Sequence, residues 1–206
     1  MAVKRNPELT KEKILEAAVA EFAEKGFGSA RVDAIAQKAG ANKRMLYHYF
    51  GNKEALFVAV LEQAYQDIRD HEQALDLQRL DPAQAMRELI RFTFRYFVDH
   101  PEFIRLLNNE NLYGAVHIRR SHRVLAMHTP LVEQLGQVLR RGVAAGVFRP
   151  GIEPIQLYIT VAGLGYFYLS NAATLGTIFG KDLTAPRALE QRLEHMTAVV
   201  LGYLRP

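Results

Sequence analysis

Apolar residues recur at three- and four-residue spacing along nearly the whole chain, and no stretch alternates long enough to argue a strand. The pattern predicts an all-α protein of about nine helices. Thr10 is placed as the N-cap of a first helix with the stripe Ile14, Ala17, Ala18 and Phe22. Gly26 follows Lys25 as its stop, because glycine accepts the left-handed backbone that ends helices. A short helix over 32–39 closes at Gly40, and Asn42 caps the next, over 43–49. Asn52 caps a longer helix from Lys53 to about residue 72. Asp81-Pro82-Ala83-Gln84 has the form of a capping box with proline at the first helical position. That helix carries Met86, Leu89, Ile90, Thr93, Phe94 and Phe97 and ends near His100, since Pro101 forbids its continuation. Pro101 opens a helix through Leu112, and Thr129-Pro130 opens another to about Ala145. Two apolar helices close the chain, one over about 154–174 and one over 186–204 with Leu189, Leu193, Met196, Val200 and Tyr203 in register.

The segment from Pro154 to Gly180 holds no charged residue, a length that suits a membrane span. It also holds Gln156, Thr160, Ser170, Asn171, Thr174, Thr177 and three tyrosines, with no Lys/Arg cluster on one flank. The reading is a helix buried within protein, and no membrane is expected as a partner. Cysteine is absent from the 206 residues, which removes disulfides, thiolate metal sites and cysteine nucleophiles together. The polar, basic start MAVKRNPELTKEK has no apolar leader, so a cytoplasmic protein is expected.

Charge is distributed unevenly. Residues 1–53 carry ten Lys/Arg against six Asp/Glu, while 54–206 carry sixteen of each, so the whole net charge of +4 sits in the first quarter. A basic end on a neutral body points to a polyanion partner at that end. The predicted helices there fit a helix-turn-helix. Val32, Ile35 and Ala36 form an inner face, Ala39-Gly40-Ala41 a tight turn, and Leu46 and Phe50 pin the third helix inward. Lys43, Arg44, Met45, Tyr47 and His48 then point outward with no acid among them, a face suited to a DNA groove.

These residues resemble the TetR family of one-component bacterial transcriptional repressors. The likeness covers about residues 10–57 and rests on ILEAAVAEFAEKGF (14–27), VDAIAQKAGA (32–41) and above all LYHYFGNKEAL (46–56). It implies that the third helix enters the major groove, with Lys43, Arg44 and Met45 at base edges or adjacent phosphates. Arg44 is then the residue for bidentate guanine readout, and Tyr47, His48 and Lys53 bind phosphates. Arg31 and Asn42 complete the expected contact set, and Lys4 and Arg5 form a basic arm. Two positions depart from the family: Arg31 stands where a Ser or Thr usually caps the second helix, and Arg44 where a small residue often opens the third.

The chain is expected to divide into a DNA-binding domain at 1–53 and a helical effector-binding and dimerisation domain at 54–206. One recognition helix covers few base pairs, so an inverted-repeat operator read by a homodimer is expected. The dimer surface is assigned to helices 154–174 and 186–204, with Ala162, Gly163 and Gly165 allowing close approach. Polar and aromatic residues in the apolar body are the effector candidates: Tyr96, Asn108, Asn111, Tyr113, His117, Tyr166 and Asn171. The C-terminal half is similar to pyrimidine- and nicotinate-responsive repressors through HPEFIRLLNNEN (100–111), FYLSNAATLGTIFGKDL (167–183) and VVLGYLRP (199–206), which implies a heterocyclic or aromatic effector.

An enzyme is not expected. His117 and His128 would lie about 16 Å apart along a helix, too far to share a metal. No Glu-x-x-His pair, Gly-rich phosphate loop or Gly-x-Ser-x-Gly elbow occurs, so no catalytic residue, cofactor or metal is assigned. The rival readings are an activator or architectural DNA-binding protein without an effector, and a helical ligand carrier or enzyme whose first helices only stabilise it.

Overall fold

The structure is a computed structural model that describes residues 7–127 and 129–206. Lys4 and Arg5 of the expected arm, and His128, lie outside the described residues. Among the described residues there is no strand. The helices are α1 (Pro7–Ser29), α2 (Val32–Lys38), α3 (Lys43–Phe50), α4 (Lys53–Gln73), α5 (Pro82–Asp99), α6 (Pro101–Leu112), α7 (His122–Ala126), α8 (Thr129–Ala144), α9 (Pro154–Ser170), α10 (Ala172–Phe179) and α11 (Pro186–Leu204), with a 3-10 turn at Ile118–Arg120. None is long and apolar enough to cross a membrane.

The sequence reading counts nine helices, and the differences have local causes. Thr10 lies inside α1 rather than capping it, because Pro7 already occupies helix in its first turn, where a missing N–H costs nothing. The single helix expected over 154–174 is two. Asn171 leaves helical backbone at φ −108 and ψ 10, and its side-chain amide donates to Phe167 O at 2.9 Å, satisfying a terminal carbonyl of α9 before α10 starts. The loop after α6 contains the 3-10 turn and α7, whose start is held by Ser121 Oγ accepting from Val124 N at 3.2 Å. The caps behave as their chemistry requires: Asp81 Oδ1 accepts from Ala83 N and Gln84 N, and Asn52 Oδ1 from Ala55 N at 2.8 Å.

The chain groups into two compact units, one reaching to Gln66 and including Arg105–Ala126, the other made of Asp67–Ile104 and Met127–Pro206. In the first, α1 packs on α2 and α2 on α3 around Ile14, Phe22, Ile35, Leu46, Phe57 and Leu106, all fully buried. In the second, α5 is the central element against α8, α9 and α11, burying Met86, Leu89, Ile90 and Phe94 with Leu135, Leu157, Val161, Met196 and Val200. Full burial of each such side chain contributes about 1.5–3 kcal/mol.

Gly165 turns toward this core, not outward as a dimer contact. A Cβ there would lie 3.3 Å from the Phe97 ring and 3.5 Å from Met196 Cε. Gly163 is the small residue on the outer face, with nothing within 4 Å of a Cβ. The stripe of α11 ends on Leu204 rather than Tyr203, which stays 49% exposed beneath the Arg149 guanidinium at 3.9 Å.

Candidate nucleic-acid interface

The third helix is built to show one face. Asn42 Oδ1 accepts from Met45 N at 2.9 Å and fixes its start, while Leu46 is fully buried and sets its rotation. Lys43, Arg44 and His48 are then exposed and Tyr47 is 39% exposed, whereas Met45, Tyr49 and Phe50 are half-buried. Lys43 pairs with Asp33 of α2 at 3.1 Å, and His48 meets the Tyr49 ring at 5.4 Å. Arg44 pairs with no acidic side chain among the described residues. Its guanidinium is therefore the least committed cation on the helix.

Arg31 is exposed and makes no side-chain cap on α2. α1 instead supplies an acceptor for the amide of Arg31 itself, not for the first-turn amides of α2 that a Ser or Thr would serve. Glu21 is fully buried and its carboxylate accepts from Arg31 N at 3.3 Å, Lys25 Nζ at 2.9 Å and Lys38 Nζ at 3.2 Å. The Lys25 hydrogen bond holds this carboxyl below its usual pKa. Lys53 is half-buried, donates to Gly28 O at 3.3 Å and lies 4.9 Å over the Phe27 ring; burial pushes its pKa down. It is more engaged with protein than the bare surface cation that the sequence suggested.

The Phe27 turn is held from residues far along the chain. Gly26 leaves the helix at φ 72 and ψ 167, a region open in practice only to glycine, and Phe27 N donates to Asn109 Oδ1 at 3.2 Å. A Cβ on Gly26 would stand 2.5 Å from that same oxygen. Gly26→Ala is therefore expected to cost about 2–4 kcal/mol from backbone strain and the lost amide contact together, seen as a lower urea midpoint at unchanged slope. A loss under about 1 kcal/mol would mean that the kink relaxes freely. Beside Asn109, Glu110 Oε1 accepts from His117 N at 2.8 Å and Ile118 N at 2.9 Å, and Oε2 receives His117 Nδ1 at 2.7 Å. A carboxylate only accepts, so Nδ1 carries the proton. The His117 ring packs on Phe27 at 4.5 Å and Phe57 at 4.9 Å.

The seven effector candidates fall in both units. In the first, His117 is committed to this cluster, Tyr113 is 44% exposed against Phe27, Asn111 is exposed and Asn108 half-buried. In the second, Tyr96 is buried, donates to Asp67 Oδ2 at 2.7 Å and stacks on His100 at 4.3 Å; burial raises its pKa. Tyr166 is half-buried, and Asn171 spends its amide on Phe167 O and Ser170 Oγ. Sequence reasoning missed the buried polar anchor Glu21, one of several acids of α1 with no local signal that sets it apart.

Comparison with known proteins places the chain. Residues 14–60 match the family described as bacterial regulatory proteins, tetR family, and residues 82–200 match the tetracyclin repressor-like C-terminal domain. The HTH-type transcriptional repressor NicS of Pseudomonas putida is 39% identical over 196 residues, 95% of this chain and 92% of that one. The HTH-type transcriptional regulator RutR of Escherichia coli is 28% identical over 95% of this chain and 91% of its own. The structure of the TetR family regulator PfmR from Thermus thermophilus superposes with a TM-score of 0.64 at 26% identity, covering 94% of this chain and 99% of that one. With an exposed, acid-free third helix and both halves matched, the chain belongs to the TetR family of helix-turn-helix transcriptional regulators, which are not enzymes.

Proposed function

We propose that the protein is a cytoplasmic, homodimeric repressor that binds an inverted-repeat operator and is released from it by a small heterocyclic or aromatic effector. The observation that carries this reading is the α3 face: Lys43, Arg44, Tyr47 and His48 exposed beside a fully buried Leu46. Residues 1–53 act as the DNA-binding domain and 54–206 as the effector and dimer domain. Dimerisation is supported by apolar side chains left in the open on the last helices: Ile155 at 49%, Ile159 at 54% and Phe167 at 59% on α9, with Val199 and Tyr203 on α11. Side chains of this kind in rows on two helices favour a partner of the same kind. Effector and operator are linked by population shift, in which the effector favours a conformer whose two α3 helices no longer match successive major grooves.

Selection of bound DNA from a random pool tests the reading, with an inverted repeat as the expected product. On that site Arg44→Ala is expected to relax preference at one base step by about 1–3 kcal/mol. Lys53→Ala is expected to weaken all sequences alike and flatten the salt slope by about one. Recovery of single half-sites, or equal losses on specific and random DNA for both variants, would overturn the division of roles.

A further inference from the structure

Residues 111–132 hold no acidic side chain, and Arg119, Arg120 and Arg123 stand among them with His122. This stretch lies in the C-terminal half of the sequence, yet Arg105–Ala126 folds into the unit that contains α3. That unit carries fourteen Lys/Arg against nine Asp/Glu, and the other carries twelve against thirteen. The positive excess of the α3 unit is therefore supplied from two places in the chain, and the second is concentrated in five residues.

The basic run stands on a fixed platform. Ala115 takes φ 60, a left-handed backbone disfavoured for any residue with a Cβ, and its N–H donates to Glu110 O at 3.0 Å. The Glu110 carboxylate holds His117 N and Ile118 N just beyond. Ser121 is buried and donates from Oγ to Glu62 Oε1 of α4 at 2.7 Å, and Val124 is buried after it. Arg120 NH1 reaches Glu54 Oε2 at 2.6 Å, and Arg123 NH1 reaches Glu62 Oε2 at 3.4 Å. Arg119 is exposed, and no acidic side chain pairs with it among the described residues.

The platform borders the start of α4. Glu54, which holds Arg120, is the chain neighbour of Lys53, whose ammonium lies on Gly28 O. At the other end of the segment, Tyr113 Oη would stand 2.9 Å from a Cβ on Gly28. Residues 113–120 thus meet the α1–α2 turn and the first turn of α4, the place assigned to a phosphate through Lys53. Glu62 lies eight residues on, about 12 Å along α4, which sets Arg123 back from that edge.

We infer that Arg119 and Arg120 form a second backbone-binding edge of the DNA interface, taking phosphates beside the one at Lys53. This rests on the DNA-binding reading above. A duplex strand presents a phosphate about every 3.4 Å of its axis, so a phosphate at Lys53 brings others to the neighbouring side chains. The planar guanidinium fork matches a phosphate in two bonds. The Arg120–Glu54 pair is more than half exposed on both sides, so it is weakly held and exchanges readily for a phosphate. Contacts of this kind position the protein on DNA and carry no base preference.

The test is fluorescence anisotropy of the full chain over a range of KCl concentrations, on the selected inverted repeat and on a random duplex of about 40 base pairs. Arg119→Ala and Arg120→Ala are each expected to flatten the slope of log K against log salt by about one per bound protomer, and to weaken both duplexes by the same factor. Arg119→Lys keeps the charge and is expected to keep the slope. Arg87→Ala removes an exposed arginine from α5 of the other unit and is expected to leave the slope as in the parent. Unchanged slopes in both alanine variants, an equal change with Arg87→Ala, or a loss confined to one base step would each overturn the edge. Arg119 has no acidic partner to lose, so its variants decide even where Arg120→Ala loosens the segment. Altered base preference in Arg44→Ala, with parental slopes in the Arg119 and Arg120 variants, leaves the DNA-binding reading intact and removes this edge. A parent that binds neither duplex removes both.

Discussion

Glu110→Ala is expected to destabilise the N-terminal unit by about 4 kcal/mol, more than truncation of most single core residues in it, because one carboxylate serves two buried donors and a half-buried third. Glu110 is 1% exposed, and its loss strands His117 N, Ile118 N and His117 Nδ1 in a site lined by Phe27, Phe57 and Tyr113. Each stranded group costs about 1–3 kcal/mol. Glu110→Gln separates this from a packing effect. Its carbonyl still accepts from the two backbone amides, and its NH2 meets Nδ1 of a histidine in the other neutral tautomer, so a loss nearer 1 kcal/mol is expected. Urea unfolding followed by circular dichroism gives both numbers, and amide exchange at His117 and Ile118 shows whether the bonds opened are these. Equal losses for Ala and Gln would assign the effect to packing. On the proposed reading, operator affinity is expected to fall with Glu110→Ala as well, since the Phe27 ring that packs on His117 also lies under Lys53.

The helical framework is legible in the sequence because its signals are local. Asn42, Asn52 and Asp81-Pro82 cap helices through amides two and three residues on, and those bonds are present. Leu46, Val32, Ile35 and Ala36 are buried as their spacing requires. The third helix is legible for the same reason, since one buried residue at a known pitch fixes which side chains face out. What stays hidden depends on partners far along the chain. Buried Glu21 takes Lys38 and the Arg31 amide, and the turn at Gly26, itself expected, is held by Asn109. Neither partner lies within a helical turn. The break at Asn171 is hidden differently: Pro154–Gly180 carries no charge to mark an exposed face, so periodicity cannot tell one helix from two there.

Arg69 and Glu72, a buried pair joined one turn apart near the end of α4, show the same limit at greater cost. The stripe of α4 runs Phe57, Leu61, Ile68 and then Glu72, so the pattern places an acid where the next apolar residue belongs. Glu72→Leu alone is expected to cost about 3–5 kcal/mol at any pH, since it leaves the Arg69 charge buried with only Tyr158 beside it. Arg69→Met leaves a carboxyl that escapes its charge by taking a proton, so its cost is small in acid and grows as pH rises. The double variant Arg69→Met/Glu72→Leu removes both charges and is expected to lie within about 1 kcal/mol of the parent or above it, a coupling of several kcal/mol between the two sites. Burial pushes the Glu72 carboxyl from 4.5 up to about 7, against the pull of Arg69. A folded-state pKa above the unfolded one means that the folded chain holds the extra proton. The stabilisation is thus complete below 4.5 and is lost as pH rises through about 7. The double variant lacks that step, so its advantage over the parent is expected to be larger at pH 8 than at pH 5 by urea unfolding. An advantage that shrinks over this range would mean that Glu72 is held ionised by Arg69, and the pair would then be a stabilising ion pair rather than a strained one.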